Sequence, residues 1–148
     1  MKKIVLILLL LVPGIKSNAQ DILKTVGDQL IKKDKIFAGR FPINTVNGKW
    51  IFDKKPNWFA GFTSGELWDM YDLTGNDEFK IRALAHADNL IKYSSMDDTH
   101  DMGFIFFNSC VKAFQHTGEK KYRSQFDCYE HSRSDGGDCC IGDAWIHA

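Results

Sequence analysis

The chain has no charge imbalance to spend on a charged partner. Its 148 residues carry 19 Lys and Arg against 19 Asp and Glu, a formal net charge of zero. No basic patch and no acidic tail is present, which removes nucleic acid as a partner. No apolar run approaches the roughly 20 residues that a membrane-spanning helix needs; the unbroken stretch Ile4 to Val12 is well short of it. No Gly-rich phosphate loop, Ser-His-Asp arrangement or helical metal motif can be read along the chain. Asp135-Gly136-Gly137-Asp138 has the flavour of a calcium loop without its ligand spacing. The 4 cysteines match no zinc pattern, and none lies near the N-terminus where a lipid anchor would attach.

What is present begins with a leader. Lys2 and Lys3 precede the apolar run, Pro13-Gly14 breaks it, and Ser17-Asn18-Ala19 offers small residues for cleavage before Gln20. That is the layout of a secretory signal peptide over residues 1–19. Export to the periplasm or the medium is expected, with no membrane contact once the leader is removed. Export would permit disulfides. Cys128, Cys139 and Cys140 cluster late in the chain, whereas Cys110 falls inside a helical apolar pattern and reads as a buried free thiol.

The remaining sequence reads as helical hairpins. Ile22, Leu23, Val26 and Leu30 form a stripe over Asp21 to about Lys35. An irregular stretch from Phe37 to Phe62 follows, with Ile43 to Trp50 as a small hairpin or extended loop turning at Asn47-Gly48. A helix starts near Ser64 with Leu67, Trp68 and Tyr71 on its apolar face, and Gly75 is placed to end it in a left-handed cap. Asn76 or Asp77 caps the next helix, whose stripe is Ala83, Leu84, Ala87, Leu90 and Ile91, running to about Met96. After the polar connector Asp97 to Asp101, Phe104, Phe107, Val111 and Phe114 suggest another stripe, closed by Gly118. His116 reads as a solvated helix residue.

Two helix ends match. Tyr71, Thr74, Gly75, Phe79 and Lys80 align with Phe114, Thr117, Gly118, Tyr122 and Arg123 after 43 residues. A period of that length holds two helices and two turns, the unit of a stacked solenoid or of a closed double ring. From about Phe126 the pattern stops, giving way to Cys, Gly and Asp without a stripe. Residues 126–148 therefore read as a divergent, poorly ordered tail, the product of a shifted reading frame or of natural divergence.

One acid stands out. Asp101 sits with His100 at the mouth of the third helix, followed by Gly103 and Phe104. By itself an aspartate there is an ordinary cap that bonds to free backbone amides. Gly103, however, leaves room for a ligand, and Phe104 and Phe107 offer a dry wall. Trp58 and Phe62 precede the first helix of the repeat as His100-Asp101 precede the third, so both pairs fall on one rim of a ring. Core packing of Trp58 and Phe62 is an equally good reading. A helix N-terminus lowers a carboxyl pKa, whereas a proton donor at neutral pH needs the opposite shift from desolvation or a second carboxylate.

Trp58-Phe59-Ala60-Gly61-Phe62-Thr63-Ser64-Gly65-Glu66-Leu67-Trp68 followed by Thr74-Gly75, and His100-Asp101-Met102-Gly103-Phe104 followed by Phe114 and Thr117-Gly118, resemble two blocks of glycoside hydrolase family 88, the unsaturated glucuronyl hydrolases. The unsaturated rhamnogalacturonyl hydrolases are the nearest confusable family. The resemblance covers roughly Asp21 to Gln125 and implies an all-α fold, an incomplete (α/α)6 barrel over residues 20–125. It implies action on oligosaccharides with a 4,5-unsaturated uronic acid at the non-reducing end, by hydration of the C4=C5 bond, without metal or organic cofactor. Asp101 matches the first of two essential aspartates, His100 a substrate-contacting histidine, and Trp58 and Phe62 aromatics lining the sugar site. The block with the second aspartate has no counterpart here, so the expectation is a truncated chain, inactive alone. The alternative is a helical-repeat module that binds carbohydrate or protein without turnover.

Overall fold

The structure, a computed structural model, describes residues 14–96 and 102–123, with side chains from Asn18 onward. His100 and Asp101, the leader's apolar run and the tail 126–148 lie outside the described residues. A long helix α1 (Gly14–Phe37) leads into a two-stranded antiparallel sheet, β1 (Phe41–Val46) and β2 (Lys49–Asp53). A helical hairpin follows, α2 (Phe62–Thr74) and α3 (Asp77–Leu90), with a 3-10 turn at Ile91–Tyr93. The last helix comes in three parts: α4 (Met102–Phe106), a π-helical segment (Phe107–Val111) and α5 (Lys112–Thr117). A 3-10 turn at Lys120–Tyr122 closes the described part.

Helix α1 starts at Gly14 rather than Asp21, since nothing between Ile15 and Gln20 breaks it. Its buried face also departs from the expected stripe. Leu30, Asp34 and Phe37 are buried, while Ile22 and Val26 face outward. Gly27 sets this rotation. A Cβ there would lie 2.8 Å from Phe79 Cζ, so α1 seats its smallest residue on that ring. The sheet turns where Asn47-Gly48 places it. Both residues have positive φ (49° and 73°), the conformation that suits a two-residue hairpin connection. A register shift between Pro42 and Asn44 bends β1.

The α2–α3 hairpin carries the core. Leu67, Trp68, Ala83, Ala87 and Leu90 are buried as their spacing implies, and Ile105, Phe106, Cys110, Ala113 and Tyr122 close over them. The methyls of Ala83 and Ala87 let neighbours reach the α3 backbone. Ser64 Oγ donates to the Ala83 carbonyl (3.1 Å) and Cys110 Sγ to that of Ala87 (3.6 Å). Asn76 caps α3, its side chain accepting from the Glu78 amide (3.0 Å).

The 43-residue repeat is physical. Gly75 and Gly118 are both left-handed caps, at φ 67° and 68°, and their amides donate to the carbonyls of Tyr71 and Phe114. Thr74 Oγ1 donates to the Met70 carbonyl and Thr117 Oγ1 to that of Ala113, each at 2.6 Å. Phe79 and Tyr122, the aromatics four residues past each cap, are both buried.

Candidate carbohydrate site

The turn before α2 and the start of α4 meet at very close range. A Cβ on Gly61 would fall 2.2 Å from the Ile105 carbonyl oxygen and 2.6 Å from that of Phe104. Only a residue without a side chain allows this approach. The contact puts the segment carrying Trp58 and Phe62 against the helix that follows the His100-Asp101 pair. The turn itself is held by backbone bonds from Ala60 to Asn57 and from Phe62 to Phe59.

An aromatic cluster results. The ring centroid of Trp58 lies 6.0 Å from Phe62 and 6.3 Å from Phe104, and Phe62 lies 6.3 Å from Phe104. Phe59 backs Trp58 at 5.1 Å, edge to face. These rings are not core. Trp58 is 50% exposed, Phe104 51% and Phe62 38%. The open choice between plugging the core and facing outward is thus settled outward for Trp58 and Phe62. Beside them, among the described residues, Gly103 has nothing within 4 Å of where a Cβ would stand. Bare aromatic faces with a void at their edge form a surface on which the apolar face of a sugar ring can stack.

The buried face of α4 differs from the expected stripe. Phe104 and Phe107 are exposed, and Ile105, Phe106, Cys110 and Ala113 turn inward instead. Met102, Ile105, Phe106, Ser109, Cys110 and Ala113 recur with helical spacing on a face beside the stripe; of the stripe itself Val111 is buried, in the π-helical segment. Within it Ser109 Oγ donates to the Ile105 carbonyl (2.6 Å) and Asn108 Nδ2 to that of Phe104 (3.2 Å). Cys110 is a buried free thiol, as expected, and burial pushes it up to about 12.

Two polar arrangements escaped sequence reasoning because their partners are far apart in the chain. Asp34 on α1 receives Arg82 Nη1 at 2.7 Å and His86 Nε2 at 2.6 Å, both from α3. Burial pushes the Asp34 carboxyl up, but the bonds from His86 and Arg82 outweigh it and hold it below its ordinary value. His116 is not solvated as expected. It stacks flat on the buried Trp68 ring at 4.3 Å, 3° from parallel, with Asp72 3.5 Å away. Among the described residues no group of three His, Cys, Asp or Glu is placed to hold a metal ion, and no helix is long and apolar enough to cross a membrane.

No protein-family model matches the sequence. Over 91 residues the chain is 30% identical to the unsaturated glucuronyl hydrolase of Bacillus sp. (strain GL1), covering 56% of this chain and 24% of that protein. Over 70 residues it is 34% identical to the unsaturated chondroitin disaccharide hydrolase of Streptococcus pneumoniae (strain ATCC BAA-255 / R6), covering 45% of this chain and 17% of that one. It superposes on the crystal structure of an unsaturated glucuronyl hydrolase specific for heparin with a TM-score of 0.61, at 29% identity, over 68% of this chain and 28% of the other. The chain is related to glycoside hydrolase family 88. A mutant unsaturated glucuronyl hydrolase from Streptococcus agalactiae, complexed with dGlcA-GalNAc6S, shares the fold at 20% identity with a TM-score of 0.62, over 78% of this chain and 31% of that one. The family 88 fold is an (α/α)6 barrel, and the helical hairpins seen here form part of that ring; the short β1–β2 sheet is a minor addition. The chain spans about a quarter of the length of the curated relatives just named, or less.

Proposed function

We propose that this chain supplies part of the active site of an exported glycoside hydrolase acting on unsaturated glucuronyl oligosaccharides. The observation that carries the reading is the exposed Trp58–Phe62–Phe104 cluster, held against the helix that follows His100-Asp101, in a chain related to family 88. In this reading Trp58 and Phe62 stack on the sugar, His100 contacts it, and Asp101 supplies the first of the reaction's two carboxylates. The second carboxylate protonates the C4=C5 double bond, water adds at C5, and the hydrated sugar rearranges to release its neighbour. The leader 1–19 directs export.

The test follows loss of absorbance at the vinyl-ether band of an unsaturated glucuronyl disaccharide. The full-length relative that aligns with this chain should lose at least about a hundredfold in rate on replacing the aspartate equivalent to Asp101 by Asn. Retained rate sinks the assignment of Asp101. The present chain should bind the disaccharide without consuming it, and Trp58→Ala should remove that binding. A second reading, binding without catalysis in any context, draws on the same half-exposed rings, which suffice for stacking whether or not an acid is at hand. It wins if the full-length relative also binds without product.

A further inference from the structure

We propose that Asn108, aimed by the π-helical turn, is the residue that orients a sugar stacked on the Trp58–Phe62–Phe104 cluster. The inference rests on the carbohydrate reading just given and adds to it a residue that neither the sequence motifs nor that reading uses. Aromatic faces hold a sugar ring by its apolar side but leave it free to rotate in the plane. A hydrogen-bonding group at the edge of the stack removes that freedom.

Asn108 stands at that edge. It lies four residues after Phe104, on the same side of the helix, and its Nδ2 donates to the Phe104 carbonyl. Its side chain rests over Gly65, one turn after Phe62. A Cβ on Gly65 would be 3.2 Å from Asn108 Cβ and 3.4 Å from its Oδ1. Asn108 therefore bridges the two helices that carry the rings, and it is itself partly exposed. A carboxamide has two donor hydrogens and an accepting oxygen, and the bond to Phe104 uses one hydrogen. The register depends on the π-turn, since one residue more or less rotates a side chain by about 100° around the helix axis. Turns of this kind recur at functional sites, and this one lies beside the exposed rings.

A purely structural Asn108 would serve only to satisfy the Phe104 carbonyl. Asn108→Ser separates the two roles. A serine hydroxyl can donate to the carbonyl four residues back, as Ser109 already does to Ile105, but it is too short to replace the carboxamide at the rim. The experiment is calorimetric titration of the full chain carrying Asp101→Asn, to exclude turnover, with 4,5-unsaturated glucuronyl-N-acetylgalactosamine. Asn108→Ser should melt at the parent temperature and bind about three- to tenfold more weakly, the loss of one neutral hydrogen bond. Gly65→Ala, which keeps Asn108 but displaces its side chain, should weaken binding in the same direction. Parent-like affinity in Asn108→Ser overturns the proposal while Trp58→Ala still abolishes binding and leaves the carbohydrate reading intact. Absence of binding by the parent overturns both.

Discussion

Single residues set how close the parts come. Gly61 and Gly103 are both glycines of the site region, yet their surroundings differ completely. At Gly61 an added methyl meets backbone carbonyls that cannot swing away, whereas at Gly103 it meets no atom of the described residues. Gly61→Ala should cost about 3 kcal/mol or more, and Gly103→Ala should fall within about 0.5 kcal/mol of the parent. Urea midpoints of the two variants measure the contrast directly. Cys110 makes a different residue-scale statement. Burial pushes its thiol up to about 12, so at pH 8 only about one molecule in ten thousand carries the reactive thiolate. Alkylation followed by peptide mapping should leave Cys110 unmodified in the native chain and label it fully in denaturant. Rapid native labelling would show that the α3 face opens readily.

At the scale of elements, the ends were legible and the faces less so. Asn47-Gly48, Gly75, Asn76 and Gly118 each impose a local geometry that the residue type alone specifies, and all four act where the sequence places them. The α2 and α3 stripes also follow from spacing, because both are regular helices. The α4 face was not legible. Phe104 and Phe107 fit both the stripe and a dry wall for a ligand, and the packing of Ile105 and Phe106 into the core, which the stripe leaves out, turns them outward. Gly27 rotated α1 by the same kind of hidden cause, a small residue fitted to one ring. The half-exposure of Trp58 and Phe62 was open in the sequence because either fate suits an aromatic. The caps give a clean prediction. Alanine at a left-handed position pays the Cβ clash that glycine avoids, so Gly75→Ala and Gly118→Ala should each lower stability by about 1 kcal/mol. Thermal melts of the two variants should shift by similar amounts, since the two turns share their geometry.

At the scale of the whole molecule, α1 is tied to the hairpins by Asp34. Its partners lie 48 and 52 residues away, beyond the reach of any motif. A carboxyl held below its ordinary value of 3.8 adds stability that is complete above that value. The contribution drains away as the pH falls through the lowered folded value. Unfolding free energy of the parent should therefore drop more steeply than that of Asp34→Asn below about pH 4. Parallel curves would show that the α1 contact is held by Leu30 and Phe37 instead. Tyr122 makes the complementary tie at the other end, its hydroxyl donating from the turn after α5 to Asp88 on α3 at 2.5 Å. The two matching caps carry a further consequence. The chain leaves Gly75 and Gly118 in the same backbone conformation, with the same threonine bond behind each. A segment running from one to the other therefore has matching joints at its two ends, so a tandem copy would meet the chain with the same corner geometry.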